Sequence, residues 1–317
     1  MKYLRLLILL FCAPAFAQGR FYYEGDGNIS LYNIHNKKTF QGAYRDANGN
    51  YDPVAIQKIN GVFNVPADFG EDFSLRTLSF IDFLEDQYAK NKRLELNSSY
   101  RSPAYNATLP NSAQTSYHTD AMAADVVFPG KDLAGLKDMW DYAVSLHYGG
   151  VGFYERDGFL HIDSGRPRSW TQDTSGTEDK TPQRNKNIYL SVDRDIYQPG
   201  EKVRMFFSGV SQYPFHVSAK MVVHDNEEES TSIVGVWPNG SSDECVEILA
   251  PKPVTSPKSL NRSMTRQITW QIPDDFSYLN KKLSVRVSFC NTIEEKAEYP
   301  NMPVELDSRI FEVHATR

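Results

Sequence analysis

The chain has 317 residues, a formal net charge of −6, 40% hydrophobic residues and three cysteines. That is enough apolar content for one large domain or two ordinary ones, and the acidic balance argues against a phosphate-binding, nucleic-acid partner. Residues 1–17, MKYLRLLILLFCAPAFA, read as a secretory leader: Lys2 and Arg5 open it, Leu6 to Phe11 form the apolar stretch, and Ala15-Phe16-Ala17 supplies small residues for cleavage. The apolar run is well short of the ~20 residues that a membrane span needs. No later segment reads as a span, and the exported chain, starting at Gln18, carries a charge of −8 once Lys2 and Arg5 are removed. Cys245 and Cys290 remain and could pair in an oxidising compartment.

In chain order, NISLYNI near residue 28 predicts an opening strand. Asp52-Pro53 offers an N-cap and a first-turn proline for a short helix ending near Gly61. A longer helix is predicted from about Ser74 to Lys90, with Leu75, Leu78, Ile81, Leu84 and Tyr88 on one stripe. A third begins after Asp132, buries Leu133, Leu136, Trp140, Ala143 and Leu146, and is expected to stop at Gly149-Gly150. RLELNSSY, MAADVVF, GVGFYE and GFLHID read as strands between and after these helices. The pattern is α+β, a small antiparallel sheet with flanking helices. Residues 171–187 are polar and aperiodic and read as a linker. Residues 188–317 change to short β-rich runs broken by Pro, Gly, Asn and Asp, as in an immunoglobulin-like sandwich.

SYHTDAMAADV, residues 116–126, raises the chemical question. If Met122 to Phe128 is a strand, Ala123, Asp125 and Val127 share a face, and Asp125 is a carboxylate on an otherwise apolar strand. Burial there is expensive unless the charge is paired or holds a metal. In GFLHIDSG the same alternation puts His161 and Asp163 on one face. If the two strands are neighbours, His118, His161 and Asp125 converge, a donor set that suits an open catalytic zinc site. On spacing alone, an ordinary surface or hydrogen-bonded His-x-Asp pair is the more usual reading.

Several ordered segments carry a resemblance. SSYRSPAYNATL, SYHTDAMAAD and GGVGFYERDGFLHIDSGRPRSW resemble the zinc murein peptidases related to D-Ala-D-Ala carboxypeptidases, the LAS superfamily, and within it the MepK-like murein endopeptidases. ISLYNIHNKKTF and YRDANGNYDPVAIQKIN are similar to that branch as well, so the likeness spans about residues 28–170. It implies a zinc-peptidase domain at 18–170, with Zn2+ held by His118, Asp125 and His161. Arg101 matches an arginine near the metal, whose guanidinium could orient a peptide carboxylate or stabilise the oxyanion; an ion pair is its structural alternative.

Two positions depart from the family pattern. The glycine three residues after the first histidine is Ala121, and the acid that many relatives carry three residues before the last histidine is Gly158. Asp163 is then the first candidate for general base, with orientation of His161 as its other role. Glu155, Asp157 and His147 are weaker candidates, and Tyr117 and Tyr154 read as packing or rim residues. The resemblance implies an exported or periplasmic peptidase that cuts an amide in murein stems or cross-links, with endopeptidase favoured over carboxypeptidase. The rival reading is a lapsed, murein-binding envelope protein with a partner-binding sandwich, motivated by Ala121 and Gly158. No motif in residues 188–317 names a partner.

Overall fold

A computed structural model describes residues 20–110, 112–113, 115–175, 185–210, 215–228, 230–236 (backbone), 245–247, 265, 267–275, 277–290 and 302–315. The leader, residues 1–17, and the centre of the expected linker, 176–184, lie outside the described residues.

The N-terminal part is built from β1 (Asn28–Asn33), β2 (Thr39–Ala43), α1 (Pro53–Val62), α2 (Leu75–Tyr88), β3 (Leu94–Ser98), α3 (Pro103–Asn106), β4 (Ala123–Val127), α4 (Leu133–Ser145), β5 (Gly150–Tyr154), β6 (Phe159–Asp163) and β7 (Arg168–Thr171). The helices start where their caps dictate. The side chains of Asp52, Ser74 and Asp132 accept from the backbone N–H of Val54, Thr77 and Gly135.

The seven strands form one sheet in the order β2-β1-β3-β4-β6-β5-β7. It is neither small nor wholly antiparallel, which corrects the sequence expectation: β1 pairs β3 and β5 pairs β7 in parallel. The chain between β1 and β3 carries α1 and α2, long enough for a parallel crossover. Strand β7, RSWT, is short and mostly polar and gave no alternating signal.

The sheet has two unlike faces. Leu160 and Ile162 of β6 and Ala124 and Val126 of β4 join the helix-side core with Leu31, Leu78, Ile81, Leu96 and Met139. Ala123, Asp125, His161 and Asp163, the alternate positions of the same central strands, therefore point to the opposite face.

The C-terminal part contains β8 (Tyr189–Val192), β9 (Ile196–Tyr197), β10 (Lys202–Ser208), β11 (His216–Asp225), β12 (Ser230–Val236), β13 (Cys245–Glu247), β14 (Ile268–Gln271), β15 (Lys282–Phe289), β16 (Glu305–Asp307) and β17 (Phe311–Val313). One sheet runs β14-β10-β8, and a larger one runs β12-β11-β15-β17-β9, with β13 beside β11 and β16 beside β15. Val203, Met205, Phe207, Met221, Val223, Trp270, Val285 and Phe311 form its core, so among the described residues the part is a two-sheet, all-β body. Cys245 and Cys290 are joined in a disulfide.

The two bodies are fastened by a buried charge cluster. The Arg76 guanidinium on α2 pairs with Asp195, which also pairs with Arg309 at 3.5 Å and accepts from Tyr22 N–H at 3.2 Å. Arg309 also donates to the carbonyl of Tyr148, linking the end of the chain to the N-terminal core. No helix among the described residues is long and apolar enough to cross a membrane.

Candidate metal centre

Strands β4 and β6 are antiparallel neighbours, and their register sets Asp125 directly opposite His161 and Ala123 opposite Asp163. Ala123 has no bulk to fill the space between these polar side chains. His118 arrives from the loop before β4, which turns sharply: Ala121 and Met122 donate back to the carbonyls of His118 and Tyr117. All three side chains are buried.

The outer nitrogen of each imidazole is already committed. His118 Nδ1–H donates to the Ser99 carbonyl at 2.7 Å, and His161 Nε2–H donates to Asp163 Oδ2 at 3.0 Å. The lone pairs of His118 Nε2 and His161 Nδ1 therefore face one another, 3.2 Å apart. Asp125 Oδ1 completes a triangle, 2.9 Å from His161 Nδ1 and 3.4 Å from His118 Nε2. Tetrahedral zinc with bonds of about 2.0–2.1 Å spaces neighbouring ligands roughly 3.3 Å apart, so the triangle has the size that such an ion requires. Two imidazole nitrogens and a carboxylate oxygen are also the donor types that zinc takes.

The charges are arranged to match. Burial is the largest influence on His118 and pushes its imidazole down to about 4, which leaves it neutral and able to donate a lone pair. Burial also acts to raise Asp125, but the contacts with His118 and His161 outweigh it and hold the carboxyl well below the usual range. For His161, burial acts to lower the imidazole, but the bonds to Asp125 and Asp163 outweigh it and raise it, so without an ion a proton on Nδ1 takes the inward position that a metal would claim in its place.

Arg101 sits at the edge of the triangle. Its Nη2–H donates to Asp125 Oδ2 at 3.0 Å and its Nε–H to Ser98 Oγ at 2.9 Å, and its backbone N–H donates to the His118 carbonyl. It also lines a cleft of about 1460 Å³ between the two bodies, with Tyr105, Asn60, Arg194, Arg204 and Phe206 among the other walls.

Asp163 is fully buried, and both its oxygens are occupied. Oδ1 accepts from the N–H groups of Gly150 and Gly165 and from Arg168 Nη1; Oδ2 accepts from His161 and from Arg168 Nη2. Burial acts to raise it, but Arg168 and His161 hold it well below the usual range. That is the setting of a carboxylate that fixes a histidine's tautomer.

The other sequence candidates stand apart. Asp157 is exposed and accepts from Gln172 at 2.6 Å, and His147 is exposed at the end of α4. Glu155 is half-buried on the β5–β6 turn, Tyr154 bonds Ser175, and Tyr117 packs beneath Arg168.

The two departures from pattern have local explanations. Gly158 adopts a φ of +70° and closes the β5–β6 turn onto the Tyr154 carbonyl, a conformation that an acid there would strain. Ala121 does take a left-handed φ of 53°, at a cost of about 1–2 kcal/mol. Its methyl is fully buried in the helix-side core, which returns about 0.8 kcal/mol.

Sequence reasoning missed the part played by five residues. Ser99 fixes His118 only through its carbonyl, which carries no residue-type signal. Arg168 and Trp170 follow the HID strand in HIDSGRPRSW, where spacing alone names no role for them; the Arg168 guanidinium lies 4.8 Å from the Trp170 ring, and that ring lies 5.0 Å from His161. Gly149-Gly150 were expected to stop α4, but the helix ends at Ser145 and the left-handed residue is His147, φ 50°. The glycines instead let the backbone pass Asp163: a Cβ at Gly149 would collide with its carbonyl, and one at Gly150 with its carboxylate. Paired glycines before a strand and a downstream Asp were the available signal.

Comparison with known proteins finds relatives of the N-terminal part. Residues 24–170 match the family model described as peptidoglycan L,D-endopeptidase MepK. The chain is 29% identical over 154 residues to peptidoglycan L,D-endopeptidase MepK of Escherichia coli K12, a stretch covering 45% of this chain and 79% of that protein. The probable peptidoglycan L,D-endopeptidase MepK of Haemophilus influenzae is 35% identical over 85 residues, covering 26% of this chain and 44% of the relative. The N-terminal part of this chain, with His118 on the loop before β4, Asp125 on β4 and His161 on β6, is thus similar to the MepK-like peptidases of the M15 superfamily, and the two-sheet C-terminal part lies beyond the matched residues.

Proposed function

We propose that the chain is an exported, zinc-dependent peptidoglycan peptidase, and specifically an endopeptidase that cuts an amide within murein stems or cross-links. The observation that carries the reading is the triangle of His118 Nε2, His161 Nδ1 and Asp125 Oδ1, with both outer imidazole nitrogens already spent. These three residues would hold the ion. Zinc bound there supplies an activated water and polarises the scissile carbonyl.

The remaining roles fall to the chain's own groups. Ser99 and Asp163 keep the two imidazoles in the tautomers that the ligand set needs. Asp163 is assigned to positioning rather than to taking the water proton, because all its acceptor directions are in use. Arg101, at the cleft wall beside Asp125, is placed to steady the oxyanion or a peptide carboxylate. Arg101 joins the triangle to the wall of the cleft between the two bodies, and endopeptidase is favoured over carboxypeptidase by the likeness to proteins described as MepK endopeptidases. The leader sequence and the Cys245–Cys290 disulfide favour export. The division into a peptidase domain at 18–170 and an immunoglobulin-like sandwich at 188–317 is part of the same reading. Ala121 and Gly158 are accounted for by backbone conformation, so they give no support to a lapsed site.

The test is digestion of purified sacculi, with mass spectrometry of the released muropeptides. The zinc-loaded protein should release fragments carrying one newly freed amine and one newly freed carboxyl. Chelation should stop the release and added zinc restore it. A folded, zinc-loaded protein that releases nothing would overturn the reading.

A further inference from the structure

The segment that carries His118 is not held by its own domain alone. Tyr117, Met122 and Ala123 form a separate buried cluster with Phe206, which belongs to β10 of the sandwich. Between them, Asp120 is buried, and its Oδ2 accepts from the Gly209 N–H at 3.0 Å. Gly209 takes a φ of +64°, and a Cβ there would lie 2.8 Å from the Asn187 carbonyl, so the residue that offers this N–H must be glycine.

Tyr117 links the same contact to the second histidine. The Arg168 guanidinium lies 4.8 Å from its ring and pairs with Asp163 at 2.9 Å, and Asp163 holds His161 Nε2. Gly165, two residues after Asp163, packs so closely on Tyr117 that a Cβ would enter the ring. A shift of Tyr117 therefore moves both the His118 loop and the group that sets the tautomer of His161. The Arg76–Asp195–Arg309 cluster joins the two bodies without touching the His118 loop, so the Phe206 and Gly209 contacts are not needed merely to keep them together.

We propose that the β-sandwich is a positioning element of the metal centre: Phe206 and the Gly209 amide set the Tyr117–Ala123 segment, and with it His118 directly and His161 by way of Tyr117, Arg168 and Asp163. The inference rests on the reading of His118, Asp125 and His161 as zinc ligands. It makes the sandwich part of the catalytic unit rather than an appended targeting module. Outer groups that orient metal ligands typically contribute about 10- to 100-fold in affinity or activity.

The test uses the full chain with Phe206→Ala and Asp120→Ala, beside the conservative Phe206→Leu and Asp120→Asn. Arg286→Ala, which breaks an exposed pair with Asp307 inside the sandwich, is the control. Zinc affinity is read by competition with a chromophoric chelator, ligand geometry by the absorption spectrum of the cobalt-substituted protein, and kcat and KM on a defined muropeptide. Far-UV circular dichroism checks folding. Both alanine variants should bind zinc about tenfold more weakly, alter the cobalt spectrum and lower kcat with KM little changed. The conservative variants should stay within about threefold of wild type, and Arg286→Ala should match it. Wild-type affinity and spectrum in either folded alanine variant would overturn the proposal, and the two variants are independent, so misfolding of one leaves the other to decide. If the wild-type chain binds zinc but cleaves no murein, the activity reading fails while the metal readouts still judge the positioning role. If the wild-type chain binds no zinc, both fall.

Discussion

Asp163 makes five hydrogen bonds through two oxygens, and its neighbour Arg168 is neutralised by it alone among the described ion pairs. Asp163→Asn presents an N–H to donors at one of these oxygens, frees the His161 tautomer and leaves Arg168 uncompensated. Zinc affinity should fall about 10- to 100-fold. Stability should fall by roughly 1–3 kcal/mol, less than for a fully enclosed pair because Arg168 is 31% exposed. Chelator competition and chemical denaturation read the two effects, and an unchanged zinc affinity would remove Asp163 from the site. Ala121 illustrates opposing terms at one residue. Ala121→Gly relieves about 1–2 kcal/mol of left-handed strain, but loses about 0.8 kcal/mol of methyl burial and about 0.5–1 kcal/mol to glycine's freedom in the unfolded chain. The terms nearly cancel, so thermal unfolding should move by no more than a few degrees. A large stabilisation would mean that Ala121 is a lesion after all.

At the scale of elements, strand alternation made the centre legible. Period two placed Asp125 on one face of β4, and His161 with Asp163 on one face of β6, and the register of the two strands then brought them opposite. What alternation could not supply was the pairing itself, the parallel edges or strand β7, because these depend on contacts between residues far apart in sequence. The same limit hid Ser99, Phe206 and Gly209, whose contributions lie in a carbonyl, a packing contact and a backbone amide. The three long helices were readable from caps and stripes, but α2 also buries a charge that the stripe does not mention. Asp82 accepts from the Tyr44 hydroxyl and the Gly27 N–H, and burial, with Asp86 and Asp26 nearby, pushes it up to about 7. In the unfolded chain the group ionises near ~3.9. The folded protein therefore holds an extra proton between these values, and the resulting stabilisation is complete below about pH 4 and lost as pH rises through 7. Melting curves between pH 5 and 8 should show wild type losing stability relative to Asp82→Asn as pH rises. A constant difference across that range would contradict the assignment.

For the whole molecule, the interface between the bodies is built like a core. Arg76 is buried against Asp195, and its guanidinium lies 4.8 Å from the Tyr148 ring. Asp195→Ala strands two arginines at the interface, and breaking such a buried pair typically costs about 3–5 kcal/mol. The variant should unfold in two transitions where wild type shows one. A single transition with unchanged stability would show that the charge cluster does not couple the bodies. The cleft that this interface shapes runs from Arg101 to Arg194 and Arg204, so loosening it should raise KM for cross-linked murein more than for a short soluble stem peptide.

Metal content and muropeptide release, measured on the same preparations of wild type, Asp125→Ala and His161→Ala, bear on the metal centre itself. Wild type should carry one zinc per chain and release muropeptides from sacculi. Both variants should remain folded, carry little zinc and release none. Variants that keep full zinc occupancy and cleave at the wild-type rate would place the chemistry somewhere other than the His118–Asp125–His161 triangle.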